Sequence, residues 1–192
     1  NTNDGTVTWN YDIAETALDF LAAGETVTAV FTITVTDDAG AFDTQDVTIN
    51  ITGSNDAPVI TAPVITDGIP EDVTGTITEG DPLTLTDSGF IEFTDADLND
   101  TPAASEATKT ITYTAADGTT DLTADLTLDQ LADIADAFSI SEDAGNTNDG
   151  TVTWNYDIAE TALDFLAAGE TVTAVFTITV TDDAGAFDTQ DV

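Results

Sequence analysis

The sequence predicts an all-β chain, folded as an antiparallel β-sandwich of about seven strands with two short helices in its connections. Three observations predict it. Stretches of alternating apolar and polar residues recur along the chain. Turn residues separate them at intervals of roughly 8–12 residues. The outward face of the alternating stretches is mostly Thr, which is β-branched and uncharged, so it favours strand while staying wet.

Residues 6–13 alternate, with Val7, Trp9, Tyr11 and Ile13 on one face, and predict a half-buried strand after a turn at Asn3, Asp4 and Gly5. Over residues 14–23 the period changes. Ala17, Leu18 and Leu21 fall at helical spacing and Gly24 stops the run, which predicts a helix of one or two turns. Residues 26–36 are the clearest strand, with Val27, Ala29, Phe31, Ile33 and Val35 inward. Asp37, Asp38, Ala39 and Gly40 turn the chain into a second strand, 46–52, with Val47, Ile49 and Ile51 inward.

Gly53, Ser54, Asn55, Asp56, Ala57 and Pro58 then form a joint. Gly53 breaks the strand pattern. Pro58 pushes Ala57 away from helical angles and donates nothing to a ladder. An extended stretch follows at 59–63, and Ile69, Pro70, Glu71 and Asp72 lead into a predicted strand at 73–79. Gly80, Asp81 and Pro82 turn the chain, and 83–86 reads as a short edge strand. A strand at 89–94 runs into Asp95, Ala96, Asp97, Leu98, Asn99 and Asp100. A strand at 108–115 ends in a turn at Asp117 and Gly118. Leu128, Leu131, Ile134, Ala135 and Phe138 recur at spacings of three and four and predict a helix over 128–137. A short strand at 139–142 precedes the last part of the chain.

That last part is a repeat. Residues 1–47 recur unchanged as 146–192, an offset of 145 (146 less 1). The period is far longer than a helical solenoid unit, so each unit is read as a whole domain of a tandem array. Residues 1–54 are then the back part of one unit, and 55–192 a nearly complete unit lacking only the counterpart of strand residues 48–52.

Charge excludes several partners. There are 38 Asp and Glu against one base, Lys109, giving a net charge of −37. Nucleic acid and anionic membrane are ruled out as electrostatic partners. The chain has no Cys and no His, which excludes disulfides, thiolate chemistry, His-ligated zinc and His-based catalysis. The lack of Cys fits export. No run approaches the roughly 20 apolar residues of a membrane helix, and no secretion signal is visible at the start. A hydrophobic fraction of 41% suffices for a core. Two carboxylates 5 Å apart repel by roughly 0.8 kcal/mol even in water, and one base cannot neutralise them. Bound divalent cations answer that problem; a solvated, halophile-like acidic surface is the other answer.

In the predicted topology the loops at 95–100, 143–149 and 182–183 share one end, where the linker with Asn55 and Asp56 also arrives. The connection carrying Asp19 and Glu25 reaches the same joint from the preceding unit. Calcium takes six to eight oxygens at about 2.3–2.6 Å. The expected metal ligands are Asp19, Glu25, Asn55, Asp56, Asp95, Asp97, Asp182 and Asp183. Asp100, Asp143 and Asp149 lie in the same loops. Each motif taken singly also suits a solvated turn, and Asp133 and Asp136 read as plain surface charge.

The stretches 17–26, 31–40 and 47–58, with 89–100 in front, resemble in order the VCBS repeats of giant bacterial surface proteins. Such repeats occur in RTX adhesins exported by type I secretion and are tied to cell adhesion and biofilm. The layout also resembles cadherin-like domains of the immunoglobulin-like class, where calcium sits between modules. By that likeness Asn55 and Asp56 match the linker motif, Asp95 and Asp97 the paired-aspartate loop, and Asp182 or Asp183 the last loop. The linker carries one Asp where cadherins carry two.

The resemblance implies an extracellular, calcium-stabilised extender on a bacterial cell surface, with neighbouring copies of the repeat as partners. Near-identity between copies suits a spacer. A calcium-dependent carbohydrate-binding module is the alternative, with Trp9, Tyr11, Trp154 and Tyr156 as a stacking platform, although their alternation puts them inward. No pair of carboxylates is singled out for glycoside hydrolysis, so no enzyme is expected. Residues 1–52 lack a front half of their own. Their apolar face is expected to be poorly ordered or covered by another molecule, with exchange between chains as one route.

Overall fold

The computed structural model describes residues 4–61, 73–80 and 84–192. Its strands are β1 (Thr26–Thr36), β2 (Phe42–Thr52), β3 (Val59–Thr61), β4 (Thr84–Thr94), β5 (Ala103–Thr114), β6 (Phe138–Glu142), β7 (Gly150–Ala159), β8 (Thr171–Thr181) and β9 (Phe187–Asp191). One helix, α1 (Leu128–Asp136), sits between β5 and β6. β1 and β2 form a separate hairpin with eleven paired positions. β3-β4-β7-β6 form a four-stranded sheet and β5-β8-β9 a three-stranded sheet, all pairs antiparallel.

The two larger sheets share one core. Ile91, Phe93, Phe138, Val152 and Trp154 come from the first, and Phe176, Ile178 and Val180 from the second. Phe138 stacks on Phe176 with ring centroids 4.1 Å apart. A second cluster, Leu85, Ile134, Ala137, Ile158 and Leu163, lies under α1. The helix starts at Thr127, whose hydroxyl accepts from the Gln130 N–H at 3.2 Å while Gln130 Oε1 accepts from the Thr127 N–H at 2.8 Å. This capping box satisfies two donors that a helix start otherwise leaves open.

Several expectations need correction. Residues 73–80 form no strand. Thr alternation is there, and Val73 and Ile77 do pack on the two clusters, but the Thr76 N–H is taken by the Asp87 carboxylate at 2.7 Å rather than by a ladder. The edge position falls instead to β3, which pairs with the far end of β4. The stretches predicted at 83–86 and 89–94 merge, from Thr84, into one strand, β4. The predicted helix at 14–23 shrinks to a 3-10 turn, Glu15–Ala17. Residues 6–13 form no strand, although the identical residues 151–158 lie within β7. The difference is the partner: β7 lies between β4 and β6, whereas among the described residues no strand pairs with residues 6–13. The lead-in 69–72, the turn at Asp81 and Pro82, Leu83, Asn3 and the extended run beyond Thr61 lie outside the described residues. Among the described residues no helix is long and apolar enough to cross a membrane.

Candidate metal centre

β4 delivers the chain into the loop 95–102, and β5 takes it away. The loop is held tightly because Gly150 lets the neighbouring chain pass: a Cβ there would meet Phe93 at 2.5 Å and the Asn146 side chain at 2.4 Å. Asn146 closes its own loop by two hydrogen bonds with Thr151, each 3.0 Å. That closure puts Asn148 where its amide donates to the Asp95 carbonyl at 2.8 Å. The loops after β4 and β6 therefore meet, as the topology predicts.

Within the loop the Asp97 N–H donates to Asp95 Oδ1 at 3.0 Å, and the Asp100 N–H to the Asp97 carbonyl at 3.2 Å. The turn folds three carboxylates together. One oxygen each from Asp95, Asp97 and Asp100 lies within 4.8 Å of the others. All three are buried, Asp97 completely (0% exposed). Asp182, also buried, arrives from the β8–β9 turn, where its Oδ1 accepts from the Ala184 and Ala186 N–H groups at 2.9 and 2.8 Å.

The linker closes the site. Asn55 Nδ2 donates to Asp182 Oδ2 at 2.8 Å, and the Asp56 N–H donates to Asp97 Oδ2 at 2.8 Å. Among the described residues four buried side-chain oxygens are then left without a donor: Asn55 Oδ1, Asp95 Oδ2, Asp97 Oδ1 and Asp100 Oδ2. A buried acceptor left unpaired costs free energy comparable to a lost hydrogen bond, and a charged one costs more. The chain has one cation to offer, Lys109, and it pairs with Asp191 on the exposed surface. Only protons or a bound cation can neutralise this cluster.

The preceding segment meets the same loop. The Leu98 N–H donates to the Phe20 carbonyl at 3.2 Å, and Asn99 Nδ2 donates to Glu25 Oε1 at 2.6 Å. Leu21 and Ala22 are buried at this contact. Gly53 sits between, its N–H donating to the Glu25 carbonyl at 2.9 Å. A Cβ on Gly53 would lie 2.2 Å from the Leu21 carbonyl oxygen, so only glycine fits. Gly53→Ala should force this contact apart at a cost of about 1–3 kcal/mol. X-ray scattering of that variant should show a broader distance distribution than the parent, with divalent metal present as well.

The expected ligands divide accordingly. Asn55, Asp56, Asp95, Asp97 and Asp182 are brought together, and Glu25 touches the loop through Asn99. Asp183 is exposed and accepts from the Thr101 hydroxyl at 3.2 Å, beside the cluster rather than in it. Asp19 is half-buried in the turn after residues 15–17, with no hydrogen bond into the loop among the described residues. Asp143 and Asp149 are exposed. Asp100, which the paired-aspartate pattern leaves out of the ligand set, is a full member of the cluster. Its signal was its place three residues beyond Asp97 in a tight turn. A second acidic group, Glu79, Glu160 and Asp164, contains no orphaned buried oxygen and reads as solvated charge.

Burial pushes all three loop aspartates above the usual carboxylate range, and repulsion from neighbouring acids, Asp182 among them in each case, adds to it. Asp100 is pushed up to about 6. Between the ordinary value and about 6 the folded protein therefore holds more protons than the unfolded one, so metal-free stability falls as pH rises through that window. The metal-free melting temperature should rise between pH 7 and pH 5, and Asp100→Asn should flatten that slope. Divalent binding should weaken over the same interval, because ligands must lose their protons first.

The donor set is all oxygen and mostly anionic, the chemistry of a hard cation. Such a cation fits: the buried acceptors that lack a donor are the groups it would bind. Asp95, Asp97 and Asp100 would hold it, with Asn55 as a neutral ligand. Compared with protein-family models, curated proteins and solved structures, the chain matches none.

Proposed function

We propose that this chain is a calcium-stabilised structural extender of a large secreted bacterial surface adhesin, built from immunoglobulin- or cadherin-like β-sandwich units. Its job is to space a distal binding domain from the cell. Residues 1–54 are read as the back of one unit and 55–192 as the next. One observation carries the metal part: Asp97 is wholly buried, with Oδ1 unpaired, among acids that no base of this chain reaches. Calcium suits the crowded, flexible oxygen set better than magnesium, which needs a near-ideal octahedron and keeps its waters.

The mechanism is electrostatic. Without metal, charge at the joint drives the linker and the loop apart. With metal, Asn55 and Asp56 are drawn onto Asp97 and Asp182, and the Phe20 and Glu25 contacts fix the angle between units. Units locked this way form a rod. X-ray scattering with calcium and then with chelator should show a narrow distance distribution that broadens on chelation; an unchanged maximum dimension sinks the proposal. The carbohydrate alternative loses its platform in the complete unit, since Trp154 is buried and Tyr156 half-buried with its hydroxyl donating to the Ile134 carbonyl.

A further inference from the structure

We propose that the turn 97–100 divides its work: Asp97 and Asp100 at its corners hold the cation, while Leu98 and Asn99 between them grip the preceding segment at Phe20 and Glu25, so that Glu25 is a positioning residue and not a ligand. This rests on the calcium reading above and says which groups carry it across the joint. The Asp100 N–H donates to the Asp97 carbonyl, three residues back, which makes Leu98 and Asn99 the central pair of a β-turn. The corners face in and the middle faces out: Asp97 is 0% and Asp100 6% exposed, against 61% for Leu98. From that exposed middle the Leu98 N–H reaches the Phe20 carbonyl, and Asn99 Nδ2 reaches Glu25 Oε1. Repulsion between the corner carboxylates opposes the turn until they are neutralised. The neutralisation that fills the site therefore also aims both donors at the preceding segment.

Glu25 is satisfied without a metal. Its Oε1 accepts from Asn99 Nδ2 at 2.6 Å and its Oε2 from the Ala22 N–H at 3.2 Å. Neither oxygen is among the buried acceptors that lack a donor in the described residues. The second copy of this stretch turns its carboxylate the same way, with Glu170 Oε2 accepting from the Ala167 N–H at 2.9 Å. The local turn, rather than the aspartate loop, therefore orients the carboxylate and leaves Oε1 to meet Asn99. Glu25 adds to the repulsion on Asp97, so its charge is felt at the site although its oxygens are engaged elsewhere. A test has to keep that charge while breaking the contact.

Two variants separate holding from locking. Asn99→Ala removes the donor with no change of charge. Glu25→Asp keeps the charge and draws the carboxylate back by one methylene, away from Asn99. The chain has no cysteine of its own, so spin labels on Thr34→Cys and Thr112→Cys, both at exposed positions and one on each side of the joint, read the distance across it. Each variant of the full chain is titrated with calcium by calorimetry, and the label distances are measured in calcium and in chelator. The parent should give a narrow distance distribution in calcium. Both variants should stay as broad in calcium as the parent is in chelator, with calcium affinity within about tenfold of the parent's, because linkage returns to the site only what one exposed hydrogen bond contributes. The double variant should match the singles, since all three lose the same bond. A loss of affinity beyond tenfold in Glu25→Asp makes Glu25 a ligand and overturns the proposal, and so does a distribution that stays narrow in either variant. A parent that binds no calcium removes the calcium reading and this division with it, whereas a parent that binds and narrows beside variants that narrow too overturns the division alone.

Discussion

Asp97→Asn should abolish the proposed calcium response and leave the metal-free protein folded. The substitution keeps the volume of a wholly buried side chain and removes one charge from the cluster. Affinity depends on the count of charged ligands, so binding should weaken by at least about a hundredfold. For the parent, metal at a hundred times its dissociation constant adds about 2.7 kcal/mol. In a domain of this size that is a rise of roughly 5–10 °C in melting temperature. The variant should show almost none of it. In chelator the order is less one-sided: Asn keeps one oxygen to accept from the Asp56 N–H, a weaker acceptor than the carboxylate, and relieves repulsion from Asp95 and Asp100. The variant should therefore melt within about 2 °C of the parent when both are metal-free. Calorimetric titration and melting in calcium and chelator check both halves. A full calcium-induced rise in the variant would remove Asp97 from the ligand set. A collapse in chelator would make its role structural.

The aspartate loop was legible because its chemistry is local. Asp95 and Asp97 sit two apart in a polar turn closing an alternating strand, and the backbone between them supplies its own hydrogen bond. The β8–β9 turn is local in the same sense: Asp37 accepts from the Ala39 and Ala41 N–H groups at 2.8 Å each, and Asp182 repeats that geometry with Ala184 and Ala186. Burial is not local. Asp37 is exposed and Asp182 buried, with Asn55 donating to Asp182 and no such donor at Asp37 among the described residues. Strand identity is not local either. Residues 73–79 carry a fair alternation and form no strand, while the short β3 does, because pairing needs an open edge in register as well as a pattern. The helix at 128–136 was legible from its period, and its Thr127–Gln130 box marks its start in the sequence as well.

The same dependence on context sets the second large effect. Trp154→Ala should cost about 3–5 kcal/mol, the usual range for emptying a large aromatic from a packed core. Trp154 stacks on Phe138 at 6.2 Å, and Phe138 in turn on Phe176, so its loss leaves a gap between the two sheets that neither can close alone. The expected fall in melting temperature is roughly 6–20 °C. Trp9→Ala, in an identical stretch of sequence, should stay within about 0.5 kcal/mol at low protein concentration, since half of that side chain is already in water. Melting of both variants, followed by circular dichroism, checks the pair. Equal effects would mean that residues 4–52 are packed as residues 150–191 are.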